Sequence, residues 1–291
     1  MEKLTLTVRP QQTGRTLESL MRRELAMTPG QISAAKFRPD GVTVNGVRAR
    51  VTERVRDGDV LIVRIGDVGT NDARPLDLPL SILWEDDALA VLDKPSGIGV
   101  YGEGTPNVAG ILAHKWGVHI EFHPVNRLDV GTTGLMVVAK DGYTHERLRR
   151  LLHTDAFRRE YLAVALGVPR PDRGTVELPI SREGSETGRR AVDPAGLPAR
   201  TDYEVLAVRD GLSLLRLRLH TGRTHQIRVH MAALGCPLVG DALYGSADPR
   251  IARPALHSHR LRLCHPVTGE LLDLTAPLPE DLAALWGSPE A

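Results

Sequence analysis

Cysteine is almost absent. Two residues, Cys236 and Cys264, in a chain of 291 exclude a disulfide scaffold and most structural zinc sites. So few thiols fit a reducing compartment. No apolar run approaches the ~18 residues of a membrane-spanning helix. The first ten residues alternate Leu4, Leu6 and Val8 with polar side chains, a strand pattern rather than the apolar centre of a signal peptide. The expected location is therefore the cytoplasm, without a membrane partner. The phosphate-loop pattern GxxxxGK followed by Ser or Thr is missing, as are a strand–GxGxxG–helix unit and a GxSxG elbow. These absences speak against nucleotide-dependent and serine-hydrolase chemistry. Eleven histidines do not supply a metal site by pattern: His220, His225 and His230 are five apart, His257 and His259 two apart, and no HExxH or paired Cys/His spacing occurs. No metal or other cofactor is expected. Repeats of 20–50 residues and low-complexity tracts are also lacking.

An excess of either charge is missing too. The 37 Lys and Arg residues face 36 Asp and Glu, a net of +1, which taken whole argues against a strongly basic nucleic-acid binder. The total hides local imbalance. Residues 1–70 hold 12 basic and 8 acidic side chains, 147–159 five arginines and one Asp, and 212–235 four arginines and no acid. Residues 71–93 hold one Arg and six acids, and 263–291 five acids and no base. Opposed patches of this kind allow a polyanion to bind on one face, with a modest dependence on salt.

What is present is globular. Hydrophobic residues make up 42% and charged residues 25%, enough for a sizeable core. At roughly 100–200 residues per domain the length suits one large domain with a small one attached. In the small one, residues 1–69, Leu17, Leu20, Met21 and Leu25 share a helical face within 16–26. A short helix over 31–36 ends at the Pro39-Asp40-Gly41 turn, Asn45-Gly46 marks a type I′ hairpin, and 60–65 is a strand. Residues 66–80 are rich in Gly, Pro and Asp and read as a linker, with 70–80 as its bounds between the two domains. Residues 81–291 form the large domain. Strands are expected at 88–92, 135–139, 161–166 and 212–220, and helices at 109–116, 145–152 and from Thr224, its N-cap, to Gly235. Strands outnumber crossover helices, so the fold class is α+β: a large mixed, mainly antiparallel sheet with packed helices and the active cleft across its middle.

Three segments could carry chemistry. In His123–Lys140, Asp129 lies in a turn with Gly131, Thr132, Thr133 and Gly134, just before a strand. It either faces a cleft or merely caps the turn. In His220–Gly235, Arg223 and Arg228 stand near a helix start with no acid in the stretch, which suits either an anion site or a solvated basic face. Tyr161, after Arg159 and Glu160, is either a core aromatic or, with a carboxylate and an arginine nearby, part of an acid–base set.

Together these segments resemble the RluA family of pseudouridine synthases. Asn126-Arg127-Leu128-Asp129 followed by Thr132-Thr133-Gly134 looks like its HRLDxxTSG motif, with Asn126 in place of His and Thr133 in place of Ser. Arg159-Glu160-Tyr161 resembles its tyrosine motif. Thr221 to His230 resembles its TGRTHQIRVH motif and runs on into Gly240-Asp241-Ala242-Leu243-Tyr244-Gly245. Asp93 to Gly97 and 256–266 match flanking motifs, so the resemblance covers about 80–280. Residues 1–69 resemble the RNA-binding module named after a small-subunit ribosomal protein, the S-four type.

The resemblance implies isomerisation of uridine in RNA to pseudouridine, without a cofactor. It implies Asp129 as the essential carboxylate, as nucleophile or as base for a ribose proton. Tyr161 would lie against the base as a candidate to take the carbon-5 proton, and Arg228 would pair with Asp129. Asn126, Arg127, Arg223, Thr224, His225, Gln226 and Lys94 are expected to contact substrate or RNA, and Arg15, Arg22, Arg23, Lys36 and Arg38 to serve the RNA-binding module. The target uridine must be flipped out or unpaired. The attached module places ribosomal RNA of the large subunit ahead of transfer RNA as partner, and the resemblance favours a monomer. The alternatives are a transfer-RNA synthase of the same family and a non-catalytic RNA-binding or ribosome-assembly protein on a decayed synthase fold.

Overall fold

The computed structural model describes residues 3–65, 71–102, 104–184 and 188–286. The first part comprises β1 (Lys3–Thr7), α1 (Leu17–Arg23), α2 (Pro29–Phe37), β2 (Val42–Val44), β3 (Val47–Arg48) and β4 (Val60–Arg64). The strands form an antiparallel sheet in the order β1-β4-β2-β3. Thr16 and Thr28 cap the two helices through their hydroxyls, which accept from the amides of Ser19 and Gln31. Asn45 and Gly46 take φ values of 51° and 82°, as a type I′ turn requires. The first helix ends at Arg23, short of the expected Ala26, which itself sits in the left-handed region. Leu17, Leu20, Met21, Ile32, Leu61 and Val63 fill this sheet's own core.

The remaining elements are β5 (Ser81–Glu85), β6 (Leu89–Lys94), α3 (Val108–Trp116), β7 (His123–Pro124), β8 (Thr133–Ala139), α4 (Gly142–Leu151), β9 (Phe157–Leu166), β10 (Arg173–Val176), β11 (Ile180–Arg182), β12 (Arg190–Val192), β13 (Thr201–Arg209), β14 (Leu212–Leu219), α5 (Gln226–Ala233), β15 (Leu256–Cys264), β16 (Leu271–Thr275) and α6 (Glu280–Trp286). Ten strands make one sheet, in the order β10-β13-β14-β9-β15-β8-β6-β5, with β16 paired to β15 and β7 to β8. All these pairings are antiparallel except that of β8 with β15, so the sheet is mixed and mainly antiparallel, as expected. Among the described residues no helix is long and apolar enough to cross a membrane.

Both faces of the sheet are covered, which is why β8 (TGLMVVA) is buried along its whole length and shows no alternation. On one face Leu92, Met136, Tyr161 and Leu217 pack with Val108 and Leu112 of α3 and Ile227 and Met231 of α5. On the other, Leu89, Val137, Phe157 and Leu263 pack with Leu148 of α4. The arginines of β14 are largely compensated: Arg216 pairs with Glu204 at 3.1 Å and Arg218 with Asp155.

The described part of the expected linker, 71–80, has no regular structure but is tied down. Asn71 donates its side-chain amide to Ala109 O at 2.9 Å, and the Leu76 amide donates to Gly110 O at 2.9 Å. Gly110 is required here, since a Cβ would press on Arg74 O and Leu76. The rest of that stretch, 66–70, lies outside the described residues.

Candidate active site

The parallel contact of β8 with β15 sets the site. His257 faces Thr133 and Ser258 faces Gly134 across it. Gly134 has φ 103°, and a Cβ there would collide with the Ser258 backbone, so only glycine lets the strands meet. The Asp129–Thr132 turn, closed by Thr132 N–H donating to Asp129 O at 3.0 Å, is thereby delivered to the start of β8. Buried Leu128 anchors it and leaves the Asp129 carboxylate 26% exposed. It faces a cleft of about 770 Å³ whose walls include Arg127, Tyr161, Arg223, His225 and Arg228. A larger groove, of about 1310 Å³, lies between α3 and 277–281 and contains none of Asp129, Tyr161 or Arg228. The smaller one holds five arginines and two tyrosines, whereas the larger has one arginine, Arg253, and more acids than bases.

Arg228 faces Asp129 from α5. Its Nη1 lies 3.5 Å from Asp129 Oδ2, as the resemblance led us to expect. Its main partner, however, is Asp241, fully buried, to which Nε and Nη2 donate at 2.7 and 2.8 Å. Burial works against the guanidinium charge, but the Asp241 hydrogen bonds outweigh it and raise the pKa. The Tyr244 ring centre lies 5.0 Å from the guanidinium carbon of Arg228. Tyr244 Oη accepts from Arg190 N–H at 2.8 Å and lies 2.9 Å from His225 Nδ1. Burial lowers the His225 pKa despite Asp129, whose Oδ2 is 3.9 Å from the other ring nitrogen.

Tyr161 is 3% exposed and part of the cleft wall. Burial pushes its phenol up, against the pull of Arg159 and a hydrogen bond with Ser258. The side chain is therefore a neutral ring at physiological pH, and any proton it takes must be relayed onward. Tyr161 does not open its strand, as the sequence suggested, but lies inside β9, paired with Leu217 and Ser258.

Several expected contacts are corrected. Thr224 is not a cap: α5 starts at Gln226, after His225 in the left-handed region at φ 59°. The turn is held instead by Gln226, whose Oε1 accepts from Arg223 N–H and Thr221 Oγ1 and whose Nε2 donates to Arg200 O and Thr201 Oγ1. Buried and saturated, Gln226 is unavailable to RNA in this conformation. Asn126 is also buried; its Oδ1 accepts from Val137 N–H at 2.8 Å, pinning the Asp129 loop to β8. Arg127 is exposed and donates to Tyr101 Oη at 2.6 Å, while half-buried Arg223 donates to Pro198 O at 3.0 Å; both remain at the cleft with Thr224 and His225. On the first sheet's helices, Arg22, Arg23 and Lys36 are exposed and Arg15 and Arg38 half-exposed. Arg15 pairs with Glu24 and Arg22 with Glu18.

Lys94 is the largest correction. It is wholly buried, and its Nζ donates to Pro95 O at 2.8 Å, Ile98 O at 2.9 Å and Val130 O at 3.4 Å. It joins two loops beneath Asp129 rather than meeting substrate. Burial lowers its pKa from 10.5 to about 8, with the Asp129 charge pulling the other way. Lys94→Met should cost about 1–3 kcal/mol, since buried carbonyls lose their donor. The folded lysine deprotonates near pH 8 and the unfolded one near 10.5. Between these values the unfolded chain holds more protons, so rising pH favours folding through this group. Urea unfolding of both proteins from about pH 7 to about pH 10 should show the wild-type advantage widening above pH 8; a constant gap would contradict a desolvated ammonium.

Asp241, Tyr244, Arg159 and Ser258 were not singled out for roles. Asp241 and Tyr244 do stand in the Gly240–Gly245 stretch that carries the resemblance. Arg159, 3% exposed, sits on the cleft wall with Nη2 donating to Leu152 O at 3.4 Å.

The mainly antiparallel fold that carries this cleft is shared with solved RNA pseudouridylate synthases. The human RNA pseudouridylate synthase domain containing 4 superposes with a TM-score of 0.57 at 27% identity, covering 70% of this chain and 90% of that one. The sequence pattern of the RNA pseudouridylate synthases matches residues 88–233. The RNA pseudouridine synthase YjbO of Bacillus subtilis is 37% identical over 271 residues, spanning 90% of this chain and 95% of the relative. The ribosomal large subunit pseudouridine synthase D of Haemophilus influenzae is 36% identical over 316 positions, spanning 100% and 97%. The chain belongs to the RNA pseudouridine synthase family, in its RluA-type branch, and is an isomerase.

Proposed function

We propose that the protein converts uridine to pseudouridine in large-subunit ribosomal RNA, acting as a cytoplasmic monomer. The observation that carries this reading is the Asp129 carboxylate facing Arg228 Nη1 at 3.5 Å in an arginine-lined cleft. In the reaction the bond between uracil N1 and the ribose anomeric carbon breaks, the base rotates while held, and carbon-5 bonds to the sugar. The carbon-5 proton leaves and N1 gains one, so no net group enters or departs. Asp129 acts at the sugar, and Arg228, held by Asp241, fixes its position. Tyr161 supplies the apolar face along which the base turns. A paired uridine cannot reach this depth, so it enters flipped out. Arg127, Arg223, Thr224 and His225 then hold the flanking backbone.

The first sheet and its two helices act as an S-four-type RNA-binding module, with residues 1–69 as the module and 81–291 as the synthase. Support comes from the order of α1, α2 and the β2–β3 hairpin and from the arginines on the helices. The ribosomal target is the one named for relatives such as that of Haemophilus influenzae. Pseudouridine mapping of cellular RNA from a deletion strain tests it. The expected result is loss of one or a few large-subunit sites, restored by the wild-type gene. An unchanged large-subunit pattern with losses in transfer RNA would move the target there.

A further inference from the structure

Helix α4 begins in one part of the molecule and ends in the other. At its start Tyr143 is buried in the core of the first sheet, its Oη donating to Leu25 O at 2.9 Å, and Gln31 Nε2 donates to Gly142 O at 3.1 Å. At its end Arg149, Leu152 and His153 form part of the catalytic cleft wall, as does His145. Ten residues at 1.5 Å each carry the chain ~15 Å between the two. Helical spacing divides its side chains accordingly. Tyr143, Arg147 and Arg150 share the face beside the first sheet. His145, Arg149 and Leu152 share the neighbouring face at the cleft. Arg147 lies over the Tyr143 ring at 5.5 Å. The side chains of Arg149 and Arg150 are 63% and 51% exposed, and both lean on the single Glu146, at 2.9 and 3.1 Å. Three arginines against one glutamate leave the ridge cationic.

We propose that α4 is the bridge over which RNA backbone passes from the N-terminal module to the active cleft, with Arg150 and Arg149 contacting phosphates on either side of the ridge. The charge complementarity is that of a polyanion, and the Glu146 carboxylate, accepting from both guanidinium groups, orients the pair. The proposal rests on the reading of the chain as an RNA synthase with an RNA-binding module. Because phosphate contacts are indifferent to sequence, they show in salt dependence rather than in target choice.

The test uses the full-length protein and an unmodified transcript of large-subunit ribosomal RNA. Binding is measured across a salt series, and turnover at limiting and saturating RNA. R149Q and R150Q should each flatten the logarithmic salt slope by about 1, and the double variant by about 2. In R150Q, whose side chain is not part of the cleft wall, KM should rise several-fold with kcat unchanged, and R149K should restore most of the slope lost in R149Q, since charge rather than the Glu146 fork matters. A double variant with wild-type slope and KM would reduce the ridge to a solvated surface and overturn the proposal. So would a fall in kcat with KM unchanged in R150Q. A wild type that binds the transcript with normal slopes but never isomerises it would sink the functional reading above and not the bridge.

Discussion

Asp129→Asn is expected to abolish pseudouridine formation, lowering the single-turnover rate about 10³-fold or more, with fold and RNA affinity retained. Asparagine keeps the size of the side chain but supplies neither a nucleophilic oxygen nor a base. The loop should stay in place, because it is held by backbone and buried groups: Thr132 N–H on Asp129 O, Asn126 on Val137, and Lys94 on Val130 O. Arg228 should stay in place as well, since two of its three nitrogens are bound to Asp241. Loss of a negative charge inside an arginine-lined cleft leaves affinity for RNA equal or slightly higher. Release of tritium from carbon-5-labelled uridine transcripts measures the rate, filter binding the affinity, and thermal unfolding the fold. Retained isomerisation would remove Asp129 from the mechanism. Loss of activity together with unfolding would show that the carboxylate supports the loop, against the hydrogen bonds just named.

The parts of this site that were legible in the sequence are those where side-chain chemistry and backbone demand coincide. Gly134 is glycine because β8 and β15 touch there, and Asp129 precedes it because the turn must end at that crossing. A motif records such pairs in order. Lys94, Asn126 and Gln226 looked like surface contacts because their polarity was read without burial. In the fold each is a buried fastener whose hydrogen bonds end on backbone groups and, for Gln226, also on the Thr221 and Thr201 hydroxyls. Polarity alone does not distinguish a group that meets RNA from one that satisfies a buried carbonyl. The start of α5 was misplaced for a related reason. Thr224 has the residue type of a cap, but the Gln226 amide already satisfies the turn and His225 supplies the left-handed residue. Asp241 could not be connected to Arg228 by local spacing, because the two are thirteen positions apart, across the rest of α5 and the loop after it, and only the folded chain brings them to 2.7 Å.

That pair yields the second large expectation. In Asp241→Asn, kcat should fall about 100-fold with KM nearly unchanged, because a guanidinium displaced by as little as ~1 Å no longer orients the reacting carboxylate. Asp241 also accepts the amides of Leu243 and Tyr244 at 3.2 and 3.3 Å, so the turn that places the Tyr244 ring over Arg228 depends on the same side chain. Removing one partner of a buried ion pair costs up to about 3–5 kcal/mol, less where asparagine keeps one acceptor, so the melting temperature should drop as well. Arg228→Lys separates position from stability. It leaves Asp241 its negative charge and a cation to meet it, but lacks the fork that engages both Asp241 oxygens while reaching Asp129. It should therefore lose kcat to a similar degree with a smaller loss of stability. If the two residues act as one clamp, the double variant loses little more kcat than either single one, since the second change has nothing further to release. Additive losses would mean that Arg228 is held in the cleft without the aspartate. Asp241 would then serve the 241–245 turn alone, and Tyr244, rather than the carboxylate, would be the group that steadies Arg228.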